Sequence, residues 1–293
     1  MAGGAADTTA PASAGAAGTT VEAGGWVFGW HRRGTGDPVV LLHGLLTDSR
    51  VWEPVTAGLA ATRTTVAVDA PGHGLAPPRT SPYTLEEEVD RLADAYRGEM
   101  GERPAVWVGH SMGGMKCWRM ALRHPALVSA LVLVDTRPDE EPENTRRPFE
   151  AMVEAVLADG MSPDLAAMVA RLNFRRDFLT SETARRWTEH FTTLTGDRIE
   201  HACHSVYRRG DITGRLPEID VPVLVVHGAD DVPIRLPVVR AYTARMPGAR
   251  LVVLPATGHT PPLERPAELL DAIRAFLSDP TVSPRTPAAQ ETP

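Results

Sequence analysis

Six short, mostly apolar runs punctuate the chain, at residues 39–42, 64–68, 105–108, 131–134, 223–226 and 251–254. Runs with little polar alternation suit strands buried on both faces, as in a parallel sheet covered by helices. Most stretches between them keep helical spacing. Thr84 followed by Glu87 reads as a capping box, with the side chain and backbone of each satisfying the other. Leu85, Val89, Leu92 and Tyr96 then fall on one helical face. A second helix is expected from Met112 to about His124, stopped by Pro125. An opening pair of strands is expected around residues 26–33. Strands alternating with helices predict an α/β fold, with a mainly parallel central sheet flanked by helices.

Residues 137–210 break the rhythm. They contain no convincing strand, only amphipathic patterns such as 149–157 and 182–191. An excursion this long between two strands reads as an inserted helical cap over a site. Residues 1–22 are rich in Ala, Gly and Thr, and residues 279–293 are broken by prolines. Both read as disordered tails, because such compositions bury too little apolar surface to offset ordering entropy. The expected organisation is a core of residues 23–136 and 211–278, interrupted by a cap at 137–210.

Gly109-His110-Ser111-Met112-Gly113 directly follows the run at 105–108. A G-x-S-x-G motif between strand and helix exposes a serine hydroxyl on a sharp turn, and flanking glycines relieve the crowding there. A serine nucleophile needs a base, and the base needs an orienting acid. His227-Gly228-Ala229-Asp230-Asp231 and Gly258-His259 follow later strands, in the chain order Ser, acid, His. All three positions fall at the carboxyl edge of the sheet, where open α/β sheets place their sites. Asp135 ends the run at 131–134 and is an alternative acid. Oxyanion stabilisation needs two backbone N–H donors, for which the candidates are Met112 and Leu45, the latter in the loop His43-Gly44-Leu45-Leu46. His43 and His110 flank this region; they are candidates to line a substrate pocket or to shape the loops.

With these motifs the chain resembles the α/β-hydrolase superfamily, in its branch of small, cofactor-free serine hydrolases with a helical cap. The resemblance also rests on Asp69-Ala70-Pro71-Gly72-His73-Gly74, read as a tight turn, and on Gly258-His259-Thr260-Pro261-Pro262. It implies Ser111 as nucleophile, His259 as base and Asp231 as acid, since the acid stands three residues after Gly228. The implied activity is hydrolysis of a small or medium organic ester or lactone through an acyl-enzyme. Cleavage of a C–C bond or a lyase reaction on the same residues is the alternative. A non-catalytic small-molecule receptor is a more distant one.

Composition narrows the partners. With 30 basic and 37 acidic residues and a net charge of −7, nucleic acid is not expected. The apolar runs are too short to span a membrane, and the N-terminal stretch lacks the basic start and apolar segment of a secretory signal. Two cysteines, Cys117 and Cys203, exclude a disulfide scaffold, and a cytoplasmic location is expected. Lys116 is the only lysine, which reads as compositional bias toward arginine. His201, Cys203 and His204 lack the paired spacing of a zinc site, so no metal is expected, and the resemblance implies no cofactor. Phe174, Phe178, Trp187 and Phe191 read as the core of the cap.

Overall fold

The computed structural model describes residues 18–282. Eight strands build one sheet: β1 (Thr19–Ala23), β2 (Trp26–Arg33), β3 (Pro38–Leu42), β4 (Thr64–Asp69), β5 (Ala105–His110), β6 (Val128–Val134), β7 (Val223–Gly228) and β8 (Arg250–Leu254). Their spatial order is β1-β2-β4-β3-β5-β6-β7-β8. The pairs β1–β2 and β2–β4 are antiparallel and every later neighbour is parallel. All six strands expected from apolar runs are present, each slightly longer than its run.

Strands β3 to β7 are buried at every position, and side chains alternate between two cores. Val39, Leu41, Val106, Val108 and Val132 face one layer, to which α1 (Glu53–Leu59) contributes Val55 and Leu59. Val40, Leu42, Trp107, Leu131 and Leu133 face the other, where α2 (Leu85–Met100) and α3 (Met112–Arg123) supply Leu92, Tyr96 and Trp118. The box at the start of α2 closes as expected. Thr84 Oγ1 accepts from Glu87 N at 3.2 Å, and Thr84 N donates to Glu87 Oε2 at 2.7 Å.

Four helices separate β6 from β7: α4 (Glu143–Asp159), α5 (Pro163–Asn173), α6 (Glu182–Thr192) and α7 (Gly196–Tyr207). They pack as α4 on α7 and α5 on α6. After β7 come α8 (Leu236–Thr243), then α9 (Pro261–Glu264) and α10 (Pro266–Leu277) behind β8. Among the described residues no helix is long and apolar enough to cross a membrane.

Both chain ends depart from the expected boundaries. Residues 19–22, assigned by composition to the N-terminal tail, pair with β2 through a two-residue turn at Gly24 and Gly25, both at positive φ. Such a turn matches the twist of a hairpin, so the glycine pair was the local signal of a strand. At the other end Pro280–Val282 forms a short 3-10 turn and Val282 is buried. The remainder of both expected tails, residues 1–17 and 283–293, lies outside the described residues.

Candidate active site

Ser111 sits between β5 and α3 with φ 49° and ψ −113°, a conformation L-residues rarely adopt. The sequence forces this turn. A Cβ on Gly109 would lie 2.4 Å from the Gly113 backbone, and one on Gly113 would lie 2.1 Å from the Leu42 carbonyl oxygen. The Ser111 backbone is held on both sides: its N–H donates to Val134 O at 2.9 Å, and its carbonyl accepts from Thr136 Oγ1 at 2.7 Å. Leu46, Ser111, Asp135 and Ala256 are the non-glycine residues at positive φ among those described, and each follows a strand end: β3, β5, β6 or β8. Strain of this kind concentrates at functional sites, and here it concentrates along one sheet edge.

The loop after β8 brings His259 to the serine. His259 Nε2 lies 3.0 Å from Ser111 Oγ, and Nδ1 lies 2.8 Å from Asp231 Oδ2. The other Asp231 oxygen accepts from Ile234 N at 2.9 Å. Burial works against ionising Asp231, but His259 and the hydrogen bonds outweigh it and hold the carboxyl below its ordinary range. Of the two acids left open by sequence, Asp231 is the one bonded to His259. Asp135 is fully buried, and its Oδ1 accepts from Gly228 N at 2.9 Å.

Leu45 and Met112 flank the serine. Met112 opens α3, so its N–H has no intrahelical acceptor. The Gly44 carbonyl accepts from His43 Nδ1 at 2.7 Å, Thr47 Oγ1 at 2.9 Å and Thr47 N at 3.3 Å. Across a trans peptide, anchoring that carbonyl turns the Leu45 N–H the opposite way.

His43 and His110 do not line the cavity at Ser111. His43 Nε2 accepts from Ala70 N at 3.0 Å, joining the loops after β3 and β4. His110 donates from Nε2 to the His259 carbonyl at 2.6 Å. Both rings are about 1% exposed and are consumed by loop architecture. Burial lowers both, His110 to about 3 with His259 adding to the effect, so they stay neutral. Asp69 anchors the turn after β4, accepting from Ser49 N at 2.7 Å, Leu75 N at 3.0 Å and His31 Nε2 at 2.8 Å.

A cavity of about 320 Å³ opens onto Ser111 and His259. Its walls are mainly apolar: Leu45 and Met115 from the core, Phe149 and Met152 from α4, Val169 and Leu172 from α5, and Tyr207 from α7. Phe149 stacks on Tyr207 at 5.1 Å. Arg137, Glu141 and Thr145 give one end polar character, with Arg137 clamped on Asp139 and Glu141 on Arg209. Phe174, Trp187 and Phe191 are buried in the insertion, and Phe178 packs against them. The lining by Tyr207 and Met152 carried no sequence signal beyond helical spacing.

On α7, Glu200, His201 and His204 bring ligand-type atoms within 4.8 Å of one another, while Cys203 turns into the core. A second cleft of about 430 Å³, lined by Asp48, Asp69, His190 and Arg198, does not reach Ser111. Arg198 there is committed to the Gly72, Gly74 and Ala76 carbonyls.

A mainly parallel sheet in this order, with a strained serine turn and a His–Asp pair along its carboxyl edge, is the architecture of an α/β hydrolase. Residues 39–272 match the Alpha/beta hydrolase family. A pimeloyl-(acyl-carrier protein) methyl ester esterase of Aromatoleum aromaticum is 30% identical, over 78% of this chain and 94% of its own. A 2-hydroxy-6-oxo-6-(2'-aminophenyl)hexa-2,4-dienoic acid hydrolase of Metapseudomonas resinovorans is 27% identical, over 88% and 90%. The structure of a thermophilic esterase from Thermogutta terrifontis superposes with a TM-score of 0.83 at 24% identity, covering 89% of this chain and 98% of that one. The chain belongs to the alpha/beta hydrolase family.

Proposed function

We propose that the protein is a serine hydrolase cleaving small or medium organic esters or lactones, with Ser111 as nucleophile, His259 as base and Asp231 as acid. The observation that carries this reading is the unbroken line from Ser111 Oγ to His259 Nε2 at 3.0 Å and from His259 Nδ1 to Asp231 Oδ2 at 2.8 Å. It is supported by esterase relatives, one of them 30% identical.

The Ser111 oxygen bonds to the carbonyl carbon as its proton passes to His259 Nε2. Leu45 and Met112 N–H groups stabilise the negative charge that develops on the carbonyl oxygen. The C–O bond to the leaving group then breaks, and that oxygen takes the proton from His259. Water, deprotonated by His259, attacks the acyl-enzyme and frees Ser111. Throughout, Asp231 holds the imidazole with Nδ1 protonated and stabilises the imidazolium. Helices α4 to α7 are the cap, and Phe149, Met152 and Tyr207 shape the substrate chamber beneath it. About 320 Å³ suits a small organic molecule.

Hydrolysis of a panel of p-nitrophenyl esters and lactones tests this. Wild type turns over members of the panel and Ser111→Ala loses that turnover; undiminished hydrolysis by the variant overturns it. C–C bond hydrolysis by the same residues is the second reading, favoured by similarity to the dienoic acid hydrolase. It predicts turnover of vinylogous diketones exceeding that of every ester.

A further inference from the structure

Two carboxyl groups share the floor beneath His259. Asp135 follows β6 and Asp231 follows β7, the neighbouring strand in the sheet. Asp135, Asp231 and His259 each offer an atom within 4.8 Å of the other two. Both acid side chains have 0% exposure. The groups facing them are His110 from β5, His227 from β7, His259 from the loop after β8, Tyr242 from α8 and Glu264 from α9. No lysine or arginine pairs with either acid among the described residues. His227 Nδ1 is 3.0 Å from Asp135 Oδ1 and 3.9 Å from Asp231 Oδ2, but burial lowers its basicity, so it is a poor counter-charge.

Two carboxylates this close in a dry site do not both ionise; the pair retains one proton. Hydrogen-bond donors decide where it sits. Asp231 receives two, His259 Nδ1–H and Ile234 N–H. Asp135 receives Gly228 N–H on Oδ1, while its buried Oδ2 has no partner. A carboxylate oxygen with no donor in the interior is costly, whereas a carboxylic O–H there has an acceptor available in Asp231.

We propose that Asp135 is a neutral carboxylic acid in the working protein, and that its O–H, given to Asp231, is a positioning contact that keeps Asp231 ionised and aligned beneath His259. Burial, with the charge of Asp231 next, pushes the Asp135 carboxyl well above its ordinary range, in agreement with the donor count. The positioning role rests on the reading of Asp231 and His259 as acid and base; the protonation does not.

Infrared difference spectra and pH profiles test the two parts separately. At neutral pH the wild type shows a protonated-carboxyl C=O band that disappears in Asp135→Asn. Asparagine still donates from its amide, so it rescues: kcat stays within about threefold and the acidic limb of kcat/KM is unmoved. Asp135→Ala removes the donor, makes Asp231 more basic and moves that limb to higher pH, with kcat down about tenfold or more. A purely structural contact would lower kcat without moving the limb. The absence of a lost band in Asp135→Asn, or a limb moved to lower pH in that variant, as removing a second negative charge would cause, overturns the proposal. If Asp135→Ala does not fold, the Asn spectrum and profile decide alone. A band lost on schedule in a protein without serine-dependent hydrolysis would sink the functional reading and leave the protonation standing.

Discussion

His110 donates a 2.6 Å hydrogen bond from Nε2 to the backbone carbonyl of His259. The residue before Ser111 thus anchors the loop that carries His259. The same ring fills the space beside Gly44, where an added Cβ would stand 2.6 Å from His110 Nδ1. One neutral imidazole therefore sets the relative positions of Ser111, His259 and the loop bearing Leu45. His110→Leu should leave the His259 carbonyl buried without a donor, at a cost of about 1–3 kcal/mol. Expressed in the transition state, that is about a 10–100-fold loss in kcat with a smaller change in KM. Steady-state kinetics on one ester substrate check this, and equal effects on both constants would argue against it.

The serine turn should tolerate no side chain at residue 113. Gly113→Ala places a Cβ 2.1 Å from a backbone oxygen that cannot move without disturbing β3. Overpacking of this kind costs about 1–3 kcal/mol, lowering Tm by about 2–10 °C. Calorimetry on the variant is the check.

Lys116 and Glu88 form a 2.6 Å ion pair between α3 and α2, with side chains 3% and 2% exposed. Lys116→Met strands a buried carboxylate and should destabilise by about 3–5 kcal/mol. Adding Glu88→Leu removes the stranded charge, so the double variant should recover most of that loss. Denaturant midpoints of the four proteins form the cycle that measures it.

Asp69 predicts a pH-dependent stability. Burial disfavours its charge, but the His31 hydrogen bond and the Leu75 and Ser49 N–H groups win, so its folded pKa lies well below the unfolded value. A depressed carboxyl stabilises the fold above the unfolded pKa of about 3.9 and loses that contribution as pH falls toward the folded value. Asp69→Asn should therefore cost about 2 kcal/mol or more at pH 7, and the gap to wild type should narrow below about pH 4. Urea unfolding at both pH values reads it.

The parallel strands and the serine turn were legible because their causes are local. Residues 39–42 are apolar throughout since both faces of β3 are covered, and Gly109 and Gly113 stand where the chain crosses itself closely. Asp231 and His259 could be singled out from strand ends and chain order, but that Asp231 and not Asp135 meets His259 Nδ1 is a property of three loops together. His43 and His110 have the composition of pocket residues, and only the carbonyl and amide partners they meet reveal them as loop anchors. The role of Lys116 was not legible, because its partner Glu88 lies on another helix. The strand at Thr19–Ala23 was hidden in an Ala/Gly/Thr-rich context, although Gly24 and Gly25 marked its turn.

The central claim is that Ser111 is the activated nucleophile. Mass spectrometry after treatment with a fluorophosphonate measures this directly. One phosphonyl group per chain on Ser111, absent from Ser111→Ala and strongly slowed in His259→Ala, is the expected result. Ser111 left unmodified under conditions that inactivate hydrolysis, or equal labelling of wild type and Ser111→Ala, would contradict it.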